Sequence, residues 1–375
     1  MKLFDVYPLM NVTPTKALGA KLWDDEGNEY IDLYGGHAVI SIGHSHPHFN
    51  QRINEQLANI AFYSNSVQIP IQQEFAKKLG EVSGYVDYNL FLCNSGAEAN
   101  ENALKLASFE TKKSGFISFS GAFHGRTSAA VALTDNPKIV APNNQRSDTH
   151  ILPWGDIKAV EAQFQLGNIA GVIIEGIQGV GGIVVPDDSF LQELSVLCKK
   201  HEAKLILDEV QSGYARTGKF FAHQWSGIQP DIISMAKGMG NGFPIGGILI
   251  HPDIKASHGL LGTTFGGNHL ACAAGLAVLE VIENEGLIQK AHEQGEMFMK
   301  ALREVNGVNE VRGRGLMIGI DLDRDAAPIR TELVKKYRIF TGSSAGKQTI
   351  RLLPPLNIET NQLYSFIDSI KEILA

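Results

Sequence analysis

Six apolar runs of strand length, separated by helix-like stretches, limit what this chain can fold into more than any other feature. They are 89–93 (NLFLC), 116–120 (FISFS), 171–174 (GVII), 205–207 (LIL), 232–235 (IISM) and 245–250 (IGGILI). Between two of them, 188–203 places Phe190, Leu191, Leu194, Leu197 and Cys198 on one helical face, with Asp188 able to cap its start. Continuously apolar strands alternating with amphipathic helices predict a mostly parallel α/β sheet covered on both faces. In such sheets ligands sit outside the carboxyl ends of the strands, so the residues just after each run are the first candidates for chemistry.

The two ends read differently. Ala20–Trp23 and Glu29–Leu33 flank the turn sequence DDEGN, which predicts a hairpin. After Asn268 one long helical pattern, 269–304, leads to Val311, the glycines of GRGLMIG and an α+β tail. We therefore expect a large domain over 51–270 and a smaller α+β domain built from 1–50 and 271–375.

Composition narrows the function. With 33 Lys plus Arg against 40 Asp plus Glu, the net charge is −7 and no basic run occurs. That is a poor electrostatic match to nucleic acid. With 44% hydrophobic and 19% charged residues the chain is no disordered segment. The three cysteines, Cys93, Cys198 and Cys272, form no CxxC pair, which favours a reducing compartment over a disulfide scaffold or a zinc ribbon. Asp5 and Pro8 interrupt what a signal peptide would need as an apolar stretch. The richest apolar stretch, 170–186, is broken by Glu175 and several glycines, so no membrane span is expected. The expectation is a soluble, cytoplasmic protein.

Three further motifs carry less than they suggest. Gly213–Lys219 fits a phosphate-binding loop until Phe220, which stands where a Ser or Thr would ligate magnesium. The glycines at 238, 240 and 242, and at 313, 315 and 319, lack a strand–turn–helix context and read as turns. His44, His46 and His48 are interrupted by Pro47, with no cysteine or carboxylate completing a set. No metal site is expected.

The stronger signal begins at Phe91. A buried strand runs into Asn94-Ser95-Gly96-Ala97 and straight into an amphipathic helix, an arrangement that directs free N–H groups and the helix dipole at an anion. The same residues would also serve as an ordinary helix cap. Farther on, the run Lys204–Leu207 ends in Asp208, an acid that is costly to bury without a cation. The run Asp231–Met235 is followed by Lys237, either an ion-pair partner or a Schiff-base lysine. An anion seat, a buried Asp and a buried Lys on neighbouring strand ends match the needs of pyridoxal phosphate.

The motifs NSGAEANE, AFHGRT, DEVQSGYARTGKFFA, AKGMGNGFPIGG and TTFGGNHLACAA, in this order, resemble those of the class III, ornithine-type aminotransferases, and within that class the acetylornithine-type enzymes. The resemblance implies a fold-type-I pyridoxal phosphate enzyme acting on small molecules. It would move the δ-amino group of an N2-acylornithine to 2-oxoglutarate in arginine biosynthesis. Ornithine, succinylornithine, 4-aminobutyrate and succinyldiaminopimelate are the alternative donors. It further implies that Ser95, Gly96 and Ala97 hold the phosphate, that Phe123 stacks on the pyridine ring and that Arg126 clamps a substrate carboxylate. Asp208 would pair with the ring nitrogen, with Glu209, Val210 and Gln211 alongside, and Lys237 would be the catalytic lysine. Thr264 would reach the phosphate of a neighbouring subunit and Thr263 the substrate, giving a homodimer with shared active sites. Arg351 would receive the α-carboxylate of glutamate. Two positions depart from the pattern. Gly176 replaces a proline, and Val180 stands where relatives often carry a glutamate that pairs with the arginine equivalent to Arg351.

Overall fold

The computed structural model describes all 375 residues. The predicted hairpin forms from β2 (Lys21–Asp24) and β3 (Glu29–Asp32), with β1 (Pro14–Leu18) antiparallel on the outer side of β2. Asp24 closes the turn, its Oδ1 accepting the backbone N–H groups of Glu26 and Asn28.

The six apolar runs become strands of one seven-stranded sheet. They are β4 (Asn89–Cys93), β5 (Gly115–Phe119), β7 (Ile169–Glu175), β8 (Lys204–Asp208), β9 (Ile232–Met235) and β10 (Gly246–Ile250). The seventh, β6 (Thr149–Leu152), escapes sequence reading because it is a short, half-exposed edge strand without an apolar run. The order is β4-β10-β9-β8-β7-β5-β6, parallel from β9 to β6, while β10 runs antiparallel to both of its neighbours. Both faces are covered. Val172, Ile174, Leu205 and Leu207 pack on one side with Leu191 and Leu194 of the helix Asp188–Lys200. The intervening Ile173 and Ile206 pack on the other with Ala103 and Leu104 of the helix Gly96–Thr111. This is the two-residue alternation of a strand buried on both sides.

The C-terminal part adds an antiparallel sheet of β11 (Val308–Arg314), β12 (Met317–Leu322), β14 (Gly342–Ser343) and β15 (Thr349–Leu352), in the order β11-β12-β15-β14. The two-residue β13 (Ile339–Phe340) instead joins β3 in parallel, so both chain ends meet in one sheet. No helix is long and apolar enough to cross a membrane.

Two local expectations need correction. The pattern 269–304 is not one helix but two, His269–Asn284 and Leu287–Arg303, divided at Gly286 in the left-handed region (φ 60°). The apolar residues of the first half run almost all round because that helix is buried on nearly every side, which hides the break. Asp188 does not cap its helix. Asp187 holds the cap position without a side-chain bond, and Asp188 accepts from Ser226 and pairs with Arg314.

Candidate active site

The loops at the carboxyl ends of β5, β7, β8 and β9, with the start of the helix Gly96–Thr111, surround a cavity of about 430 Å³. Its lining includes Ser95, Gly96, Ala97, Phe123, Arg126, Asp208, Val210, Gln211 and Lys237. These residues are scattered over 140 positions of sequence and meet because parallel strands bring their carboxyl ends to one edge.

At one side Ser95 caps the helix, its Oγ accepting from Glu98 N at 3.2 Å. The N–H groups of Gly96 and Ala97 begin the helix and have no acceptor within it. A Cβ at Gly96 would stand 2.6 Å from Val210 Cγ1, so a side chain is excluded there and the backbone stays open to the cavity.

Asp208 ends β8 and is 4% exposed. Its Oδ2 accepts from Asn100 Nδ2 and lies against His124 Nδ1, both at 2.8 Å, and its Oδ1 accepts from Val210 N at 3.1 Å. Three donors leave lone-pair capacity for one more on the cavity side. Lys237 follows β9 with a positive φ of 47°, a costly conformation for a side-chain-bearing residue and a common mark of a functional position. Burial holds its amine below the usual lysine range, against the opposing charges of Asp208 and Glu175. Phe123 stands on the wall and Arg126, exposed, at the mouth.

Three cavity residues were not singled out in the sequence. Glu175 ends β7 directly beside Asp208 in register. It accepts Phe123 N at 3.0 Å and Gly179 N at 2.8 Å, so it ties the loop after β5 to the loop after β7. His124 and Asn100 hold Asp208. The strand-end argument that found Asp208 applies equally to Glu175, whereas nothing in sequence pairs Asn100 with position 208.

The remaining expected residues lie elsewhere. Glu209 does not reach the cavity: its buried carboxylate takes Ser212 Oγ at 2.6 Å, His223 Nδ1 at 2.7 Å and the backbone N–H groups of Ala222 and His223. The reason is the strand-like alternation after β8, which turns consecutive side chains to opposite sides. Thr263 bonds Gly266 N and Asn94, and lines a neighbouring cavity; Thr264 is exposed. Ser64–Ser66 do not line the cavity.

Arg351, on β15, is buried just behind Gln211. It donates to Ser343 O, to Tyr34 Oη at 3.1 Å and to Gln211 Oε1 at 3.4 Å. All three acceptors are neutral, and Val180 lines the cavity nearby. Burial lowers the arginine's pKa, while Tyr34 and Glu175 oppose that shift.

The family model for aminotransferase class-III matches residues 5–374. The chain belongs to the class III aminotransferases. Acetylornithine aminotransferases of Methanothermobacter thermautotrophicus and Bacillus subtilis are each 38% identical to it. The alignments cover 100% of this chain, and 96% and 97% of those proteins. Among solved structures, ornithine aminotransferase from Toxoplasma gondii superposes with a TM-score of 0.90 at 29% identity, covering 98% of this chain and 91% of that one. Acetylornithine aminotransferase from Elizabethkingia anophelis gives 0.85 at 32%, covering 98% and 95%. The chain is therefore an aminotransferase of the pyridoxal phosphate-dependent, fold-type-I kind. The cavity fits that cofactor: unpaired helix N–H groups where a Cβ has no room, a lysine amine and a buried carboxylate are the donors and acceptors it requires.

His44, His46 and His48 face three different carboxylates, Asp32, Glu285 and Glu280. Residues 213–218 are buried and lead into no α-helix, and Lys219 lies over the Trp225 ring.

Proposed function

We propose that the protein transfers the δ-amino group of an N2-acylornithine, acetylornithine first among them, to 2-oxoglutarate, a step of arginine biosynthesis. What carries the reading is one cavity that holds Lys237 and Asp208 and opens at Arg126, an arginine free of any hydrogen-bonded acid. The full-length likeness to enzymes named for acetylornithine selects the donor.

Bound pyridoxal phosphate supplies the carbonyl that receives the amino group and the ring that takes up an electron pair. Ser95, Gly96 and Ala97 would hold its phosphate, Phe123 would pack on its ring, and Val210 and Gln211 would lie beside it. Asp208 accepts a proton donor at its free lone pair. Lys237 takes the proton from the reacting carbon at Nζ and returns it one position away; burial, which lowers its pKa, favours the neutral, basic amine. Arg126 takes the donor's α-carboxylate in one half-reaction and the distal carboxylate of 2-oxoglutarate in the other, bidentately. Arg351 takes the carboxylate beside the reacting carbon of 2-oxoglutarate.

We further propose that two copies complete each other's sites. Thr263 and Thr264 lie beside an exposed apolar surface of Phe62, Tyr63, Val67 and Phe265, in which the rings of Phe62 and Phe265 are 5.4 Å apart. A patch of that kind next to a half-built site suits a second copy. Residues 51–270 are taken as the cofactor-bearing unit and 1–50 with 271–375 as the smaller one. A cytoplasmic location suits three buried, free cysteines.

The test is a donor panel of acetylornithine, ornithine, succinylornithine, 4-aminobutyrate and succinyldiaminopimelate, each with 2-oxoglutarate. Acetylornithine should give the highest kcat/KM. A higher value for free ornithine or 4-aminobutyrate would reject the donor assignment.

A further inference from the structure

Arg216 is the largest side chain in the protein with almost no exposure. Its guanidinium bonds only to carbonyls, Nη1 donating to Leu316 O and Pro354 O. Asp32 is the one acid whose charge bears on it, and that carboxylate is occupied by Tyr34 N, Gly35 N and His44. Burial drives the Arg216 pKa down to about 9. Burying a cation without a paired anion is expensive, and a hydrophobic side chain of similar volume would satisfy packing alone.

What the guanidinium joins explains the cost. Arg216 lies a few residues after Gln211, on the loop that leaves β8. Pro354 lies a few residues after Arg351, just beyond β15. Gln211 Oε1 and Arg351 Nη1 are 3.4 Å apart. The backbone adds a third link, Leu316 N donating to Arg216 O at 3.0 Å. The segments 211–216 and 351–354, from different sheets, are thus tied at both ends, by Gln211 with Arg351 and by Arg216 with Pro354.

We propose that Arg216 is a positioning residue for Arg351: by clamping the carbonyls of Pro354 and Leu316 it sets where β15 presents the Arg351 guanidinium behind the cavity. This rests on Arg351 being the site for the carboxylate beside the reacting carbon of 2-oxoglutarate. Both carbonyls accept from one nitrogen, Nη1, which the rigid planar guanidinium holds between them; a lysine ammonium, on a shorter and flexible stem, does not reach the same point.

Three variants of the holoenzyme decide it: Arg216→Lys, Arg216→Met and Arg351→Gln. Single-turnover rates are measured for acetylornithine, which has no carboxylate beside its reacting carbon, and for 2-oxoglutarate, together with Tm and the absorbance of bound cofactor. Both Arg216 variants should lower kcat/KM for 2-oxoglutarate by about tenfold or more while the acetylornithine half-reaction stays within about twofold. Arg351→Gln should show the same asymmetry, more strongly. If Arg351→Gln is asymmetric and the Arg216 variants lower Tm alone, or slow both half-reactions equally, Arg216 is structural and the inference fails by itself. If Arg351→Gln leaves 2-oxoglutarate unaffected, the carboxylate assignment fails and the inference with it. Should Arg216→Met not fold, Arg216→Lys carries the decision.

Discussion

His124 Nδ1 lies 2.8 Å from Oδ2 of Asp208, and both side chains are buried. At that distance the imidazole must carry its proton on Nδ1 to meet the carboxylate, which fixes the tautomer. Asn100 approaches the same oxygen. Asp208 is therefore held rigidly, with its orientation decided before any ligand arrives.

This rigidity sets two magnitudes. Asp208→Ala should lower kcat by about 10²–10³-fold, the usual effect of removing a positioned transition-state charge partner. His124→Phe leaves Asn100 and Val210 N on the carboxylate and should cost about tenfold. Steady-state rates for both variants, at matched cofactor occupancy, check the order. Equal losses would mean that His124 itself takes part in the chemistry.

Lys237→Ala should abolish turnover yet leave the helix start at Ser95–Ala97 intact. We expect cofactor still to bind, by its phosphate, without the absorbance of a lysine adduct. Equilibrium dialysis and a visible spectrum measure this. Ordinary turnover in that variant would remove Lys237 from the reaction.

Val180 leaves Arg351 without an acid, and only neutral oxygens touch it. Val180→Glu should place a carboxylate against it and compete with the substrate's own. Glutamate and 2-oxoglutarate should then weaken relative to acylornithine by about 5–150-fold, or about 1–3 kcal/mol. An unchanged ratio of the two half-reactions would show that position 180 does not address Arg351.

Gly96→Ala should reduce cofactor affinity, because its Cβ would meet Val210 Cγ1 at 2.6 Å. Valine is stiff at χ1, so either it or the backbone must shift, at about 1–3 kcal/mol. Combining Gly96→Ala with Val210→Ala should restore most of the loss. A double variant as weak as the single one would place the damage in the backbone instead.

Glu175 makes stability depend on pH. Burial pushes its carboxyl up to about 7; His124 and the two N–H groups pull it down, and Asp208 pushes it up. The folded value exceeds an unfolded value of about 4.3, so this contribution is full below that pH and is lost as pH rises to about 7. Urea unfolding of the apoprotein should show wild type losing up to about 3 kcal/mol relative to Glu175→Gln between pH 4.5 and 7.5. A constant difference across that range would mean that Glu175 does not titrate there.

The sequence by itself determined six of the seven strands of the central sheet, because strands buried on both faces must be apolar along their whole length. It also placed Asp208 and Lys237, since polar groups just after such strands have few places to go except a site. Ser95–Ala97 was legible for the same local reason: a strand, a turn and a helix start are contiguous. Tertiary structure decided the rest. The edge strand β6 and the break at Gly286 depend on what covers them, not on their own pattern. Glu209 and Asp208 are neighbours in sequence, yet the alternation of an extended chain sends one to the cavity and the other to His223. Asn100 and His124 meet Asp208, and Arg216 meets Pro354, across more than a hundred residues in Asn100's and Arg216's case. No local period encodes such contacts; they exist because parallel strands gather distant loops at one edge and a second sheet closes against them.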